Sequence, residues 1–225
     1  MLDVDNKIFM NAYEGKVDLV IELCNKDSKY ISLKDTNGRL LIHWAALGGH
    51  NELVLFLLSK GQPVNAKDEI NMTPLILAAS AGRIQVVKTL INSEADVNAV
   101  NDGGHSALQY SASKGWKEIV ELLLSNDSTN INLKDNQGAT ALHRAASKGI
   151  TPIVSLLLSC NKNVNVNAVD NYGNAPLHLA CEEDRLEEIK LLIEHGADRN
   201  ILNAEKKSPL DLVSAKVIAA LQLMN

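Results

Sequence analysis

Aromatic residues are scarce in this chain: two Trp, four Tyr and two Phe in 225 residues, 4% of the whole. A core built around rings is therefore excluded, and a leucine-rich, small-residue composition suits thin helical layers. Cysteine is scarcer still. Cys24, Cys160 and Cys181 lie far apart and form no C-x-x-C pair, which argues against a disulfide frame and for reduced thiols. Positive charge is in deficit, with 22 Lys and Arg against 27 Asp and Glu. A nucleic-acid partner, which needs a basic face, is not expected. No apolar run is longer than residues 53–58, far short of the ~20 residues that span a bilayer, so no membrane partner is expected either. Asp3 and Asp5 precede any apolar stretch, which is wrong for a secretory signal, and the sequons at Asn71 and Asn126 are expected to stay bare. These features fit a soluble protein of the cytoplasm and nucleus, monomeric by itself. Phosphate-cradling glycine loops and nucleophile elbows are missing too, so neither a cofactor nor catalysis is expected.

What the chain does contain is a repeat. Thr140-Ala141-Leu142-His143-Arg144-Ala145-Ala146-Ser147-Lys148-Gly149 reads as a short helix with a hydroxyl at its start, small residues along one side and a closing glycine. Variants return at Leu41-Ile42-His43-Trp44-Ala45-Ala46, Thr73-Pro74-Leu75-Ile76, Ser106-Ala107-Leu108-Gln109-Tyr110, Ala175-Pro176-Leu177-His178 and, truncated, Ser208-Pro209-Leu210. The acid or amide that precedes each copy stands at Asp35, Asp68, Asn101, Asp135, Asp170 and Asn203, with spacings of 33, 33, 34, 35 and 33. One period before Asp35, a degenerate copy carries Ala12 and Gly15 in register. Seven units, approximately 2–34, 35–67, 68–100, 101–134, 135–169, 170–202 and 203–225, then fill one domain over residues 1–225.

Each unit has the same internal logic. A turn such as Asp35-Thr36-Asn37-Gly38 supplies glycine where a left-handed residue is needed. Thr73-Pro74 and Ser208-Pro209 start helices with a capping hydroxyl and proline at the first helical position. Alanine pairs at 45–46, 78–79 and 145–146 allow close approach, and glycine at 49, 82, 115 or 149 breaks the chain. A second helix follows (52–58, 118–124, 188–193) with apolar residues at helical spacing. Gly61 and Gly196 are expected to end it in left-handed geometry, with Asn161 and Asp127 as substitutes, and Glu94 in the same place implies local strain or a different cap. Extra residues in the fourth and fifth units fall in loops, around 125–129 and 161–167, where length costs little.

His43, His143 and His178 occupy the ninth position of their units, replaced by Ile76 and Gln109 in the third and fourth. No carboxylate or cysteine joins them at ligand spacing, so no metal site is expected. The imidazoles instead suit hydrogen bonds tying a helix to a neighbouring turn. Leu179-x-Cys181-x-Glu183 matches a short motif that binds the retinoblastoma pocket, but such peptides bind extended. Here the motif falls in a helix with Cys181 at a buried alanine position.

Turn positions two, three and five and helix positions ten, thirteen and fourteen project toward one concave face of such a stack. They collect Tyr13, Glu14, Arg39, Trp44, Met72, His105, Tyr110, Lys114, Arg144, Lys148, Tyr172, Glu182 and Glu183. The middle is basic and aromatic and the far end acidic. Tyr, Trp, Met and Arg are enriched at interface centres, so this stripe is the candidate protein-binding surface.

The fixed order of turn, Thr-Pro-Leu-His-like helix and leucine helix resembles the ankyrin repeat, which implies an all-α solenoid with short β-turn hairpins. His43-Trp44-Ala45, Ala79-Ser80-Ala81-Gly82-Arg83, Val97-Asn98-Ala99-Val100-Asn101, His143-Arg144-Ala145-Ala146 and Leu177-His178-Leu179-Ala180-Cys181-Glu182-Glu183 are together similar to the gankyrin family, essentially over the full length. That resemblance implies a non-catalytic chaperone for assembly of the 26S proteasome regulatory particle. The partner it implies is the C-terminal domain of one AAA ATPase subunit of the base, held along the concave face. Arg39 and Lys114 match the family's contact positions, Glu182-Glu183 would meet basic partner residues, and Met72 stands where the family has tryptophan. The alternative is an ankyrin inhibitor in signalling, using the same face on a kinase or transcription regulator.

Overall fold

The computed structural model describes residues 4–222; the expected start of the first unit at residue 2 and the expected end of the last at 225 lie outside them. The chain divides into two compact blocks, Met1–Ala107 and Leu108–Asn225. The first holds α1 (Val4–Glu14), α2 (Val17–Lys26), α3 (Lys29–Ser32), α4 (Leu41–Gly48), α5 (Asn51–Ser59), α6 (Pro74–Ser80) and α7 (Ile84–Asn92). Helix α8 (Ala107–Lys114) opens the second, followed by α9 (Lys117–Leu124), α10 (Ala141–Lys148), α11 (Thr151–Ser159), α12 (Pro176–Glu182), α13 (Leu186–Glu194), α14 (Pro209–Leu212) and α15 (Ala215–Gln222). Among the described residues there is no sheet, only an isolated antiparallel bridge between Val100 and Ser106.

Within each block, equivalent helices pack on one another. In the first, α4 lies between α1 and α6, and α5 between α2 and α7; in the second, α12 lies between α10 and α14, with α9, α11, α13 and α15 in series. The alanine pairs 45–46, 78–79 and 145–146 are fully buried, so the first helices approach closely. Leucine and isoleucine fill the space between first and second helices: Leu41, Leu53, Leu57, Leu75 and Leu90 in the first block, Ile119, Leu123, Leu142 and Ile153 in the second. Each such side chain contributes about 1.5–3 kcal/mol by leaving water.

The turns account for the glycines. The fourth turn residue is left-handed throughout, at Gly38, Gly104, Gly138 and Gly173, and at Asn71 and Lys206, which take positive φ of 58° and 60°. Glu94 does the same at the end of α7, with φ 65° where Gly61 and Gly196 have 88° and 86°. Asn161 and Asp127 do not substitute for those glycines. Helix α11 ends instead on an extended Cys160 (φ −70°, ψ 154°), and the loop after α9 folds back through Thr129, whose Oγ1 donates to Leu123 O at 2.6 Å. The extra residues give these two loops another way to close.

Within each block, successive turns are joined by backbone amides. The Glu69 N–H donates to Asn37 O (2.9 Å) and that of Asp102 to Ile70 O (3.0 Å); likewise Asn171 donates to Gln137 O (2.9 Å) and Ala204 to Tyr172 O (2.9 Å).

The histidines act as ties. Nδ1 of His43, His143 and His178 accepts the N–H of the residue just before its helix, Leu40, Thr140 or Ala175, at 3.0–3.1 Å. That fixes the proton on Nε2, which donates to Ala66 O (3.1 Å), Asn174 O (3.0 Å) and Lys207 O (3.2 Å) in turn. Gln109 makes the equivalent outward bond, its Nε2 donating to Ala139 O at 2.8 Å. Ile76 makes none, and there Thr73 Oγ1 caps the helix by accepting the Ile76 N–H at 3.3 Å.

Burial, the leading cause, pushes the pKa of all three histidines below the ordinary value of 6.5. Their contribution to stability is thus complete above the unfolded value and is lost as pH falls from about 6.5 toward the folded values, because the unfolded chain takes up protons that the folded chain refuses. Urea midpoints measured from pH 8 to 5 should fall below pH 6.5 in the wild type. The fall should be shallower in His143→Gln, which keeps an amide donor as Gln109 does; an equal fall in both removes histidine as the cause.

Candidate functional site

The first block brings Tyr13, Arg39 and Trp44 together. Trp44 sits in the first turns of α4, half-buried, its Nε1 donating to Asp35 Oδ2 at 2.9 Å. Tyr13, at the end of α1 and 40% exposed, meets it edge-on, with ring centroids 6.1 Å apart and planes at 80°. The Arg39 guanidinium lies over the indole at 5.3 Å, and its Nε donates to Asp68 Oδ2 at 2.9 Å. Edge-to-face contact, cation–π contact and ion pairing hold all three side chains in one arrangement before any partner arrives. Glu14 is taken by Lys16 at 2.7 Å.

Met72 departs from the expectation. It is 7% exposed, and its sulfur accepts from Asn101 Nδ2 at 3.4 Å. The fifth turn position points into the next repeat rather than to solvent, so Met72 is a packing residue and is not presented to a partner. His105, also at a fifth position, is half-buried, with its backbone N–H on Asn101 Oδ1 at 2.9 Å.

In the second block, Tyr110 and Lys114 lie on α8, Arg144 and Lys148 on α10, Glu182 on α12 with Glu183 just beyond it, and Tyr172 on the turn before α12. Lys114, Lys148, Glu182 and Glu183 are exposed, and Tyr172 is 64% exposed. Tyr110 is half-buried. Arg144 is committed internally: Nε and Nη2 both donate to Asp135 Oδ2, and Nη2 donates also to Gln137 Oε1 at 3.0 Å. The nearest cation to Glu183 is Arg185, at 3.8 Å. Lys114 and Lys148 have no hydrogen-bonding or ion-pair partner among the described residues.

Sequence reasoning missed the acids behind this surface. Asp35, Asp68 and Asp135 hold the indole and both guanidiniums, and the signal was present as an acid at the first position of the same unit or the next. Cys181 is fully buried in α12, where desolvation pushes its thiol up to about 12; of the other two residues of the L-x-C-x-E match, Leu179 is half-buried in the same helix and Glu183 lies exposed just beyond it. Among the described residues, no three of His, Cys, Asp and Glu gather in metal-binding geometry, and no helix is long and apolar enough to cross a membrane.

A family model described as ankyrin repeats matches three overlapping segments, residues 8–101, 93–168 and 129–203. The chain is 32% identical over 121 residues to the probable 26S proteasome regulatory subunit p28 of Saccharomyces cerevisiae, which covers 52% of this chain and 53% of that protein. It is 45% identical over 72 residues to 26S proteasome non-ATPase regulatory subunit 10 of Rattus norvegicus, covering 32% and 31% respectively. The alignments thus span about half the length of the yeast relative and a third of the rat one. The ankyrin repeat domain of human ASB11 superposes with a TM-score of 0.83 at 28% identity, covering 97% of both chains.

Proposed function

The chain belongs to the ankyrin-repeat family, whose repeats mediate protein–protein contacts, and from that premise we propose that it is a non-catalytic binding module acting on the proteasome. It captures the C-terminal domain of an AAA ATPase subunit during assembly of the 26S regulatory particle, in the cytoplasm and nucleus. The observation that carries this reading is the preorganised Tyr13–Trp44–Arg39 group, in a chain 32% identical over half its length to a proteasome regulatory subunit. An aromatic anchor already fixed by its neighbours loses little entropy on binding. Residues 1–225 serve as one module, with the exposed Lys114, Lys148, Glu182 and Glu183 matching opposite charges on the partner.

Division of labour follows from burial. The exposed lysines set association rate and its salt dependence, whereas the packed indole sets residence time. Calorimetry with purified C-terminal domains of the ATPase subunits tests the reading. One domain should bind, and Trp44→Ala should weaken it by about 2 kcal/mol, roughly 30-fold. Absence of binding by every ATPase domain, with capture of a kinase or transcription regulator instead, would turn the assignment to a signalling inhibitor.

A further inference from the structure

The first residue of each turn has a double role, and one copy performs only half of it. One side-chain oxygen, Oδ1, accepts the N–H groups of the third and fifth turn residues, as at Asp35, where Asn37 and Arg39 donate at 2.8 and 2.9 Å. The other atom meets the fifth-position side chain of the preceding repeat. Arg39 Nε donates to Asp68 Oδ2 (2.9 Å), Asn101 Nδ2 to Met72 Sδ (3.4 Å), and Asn203 Nδ2 to Asn174 Oδ1 (2.9 Å). At Asp35 and Asp135 the tenth residue of the same unit joins in, Trp44 at the first and Arg144 at the second.

Asp170 makes the first set of contacts in full, with Tyr172 and Asn174 N–H donating to Oδ1 at 2.9 and 2.8 Å. For the second it has nothing. The preceding fifth position is Ala139 and the tenth position of its own unit is Leu179, neither of which carries a side-chain donor. Among the described residues, Asp170 Oδ2 has no hydrogen bond or ion pair, and the residue is only half-buried. Two residues on stands Tyr172, the most exposed large apolar side chain of its block among the described residues. A lone carboxylate oxygen offers one bond and one charge. That is too few ligands for a metal ion but suits a single charge-assisted hydrogen bond beside an aromatic ring.

We propose that Asp170 Oδ2 receives a cationic side chain, guanidinium or ammonium, from the protein partner, in the place that Arg39 fills against Asp68. The proposal rests on the binding reading above and adds a specificity contact to it. The sister repeats supply the variant that tests it. Asn101 and Asn203 hold the same turn with an amide, their Oδ1 accepting the same two N–H groups at 2.9–3.0 Å, so Asp170→Asn keeps the turn while replacing the outer acceptor with a donor.

Calorimetry with the captured ATPase domain should show Asp170→Asn weakened about tenfold or more, with an unchanged circular dichroism spectrum. Ala139→Arg, which supplies the missing donor from within, should weaken capture by self-occupancy. A thermal-melt cycle reads the acceptor without any partner. Ala139→Arg should raise the midpoint temperature while Asp170 is present, and the gain should vanish when Ala139→Arg is combined with Asp170→Asn. If Ala139→Arg does not fold, Ala139→Asn, copying the Asn174–Asn203 pair, takes its place. Unchanged affinity of Asp170→Asn, or no coupling in the cycle, overturns the proposal. Should no ATPase domain bind the wild type, the proposed function falls, and the acceptor is decided by the cycle alone.

Discussion

Arg39→Glu should cost about 3 kcal/mol or more of folding stability, which would lower the urea midpoint before binding is even considered. The Asp68 carboxylate is 1% exposed and the Arg39 side chain 18%, so reversal sets a second carboxylate against a buried one. Removing one partner of a buried pair typically costs about 3–5 kcal/mol, because the remaining charge stays desolvated. The substitution also takes the guanidinium off the Trp44 ring. A loss of capture by Arg39→Glu is therefore ambiguous unless its melt is measured beside it, whereas Lys114→Glu, on an exposed and unpaired side chain, reports on the partner alone. A midpoint within error of wild type for Arg39→Glu would show that the ion pair carries no stability.

The second large effect belongs to Gly138. Its φ is +78°, and a Cβ there would lie 2.6 Å from Asn171 Oδ1, 2.8 Å from the Asn171 nitrogen and 3.0 Å from Asp170 Cα. Two of those atoms are backbone, pinned by the Asn171 N–H bond to Gln137 O, so they cannot give way. Gly138→Val should destabilise by about 3 kcal/mol or more, combining left-handed strain with a steric clash. Gly61 is the control. It has φ +88° and nothing within 4 Å of an added Cβ, so Gly61→Ala should cost only about 1 kcal/mol. Equal losses at the two positions would mean that conformation alone matters and the neighbouring turn does not.

These two sites also mark where the sequence was legible and where it was not. Period, helix pairs, buried alanines and histidine ties follow from spacing, since each repeats a local rule. Gln109 was visible as a departure, and the structure makes it a functional replacement. Met72 and the partners of Arg39 were not legible, because the fifth turn position reads as a surface residue within its own unit. Only the next unit decides its surroundings: an acid at 68 draws Arg39 inward, and an amide at 101 covers Met72. Ala139 could be read only in the same light, as a small residue before Asp170. The two long loops failed for a related reason, since extra residues open closures that a glycine rule does not foresee.

The amide bonds that join successive turns within each block carry a longer consequence. Every such bond joins immediate neighbours only, so a gene that duplicates or drops one copy creates a single new seam and leaves all other junctions as they were. Selection can therefore retune reach and ligand by editing copy number, without solving the folding problem again.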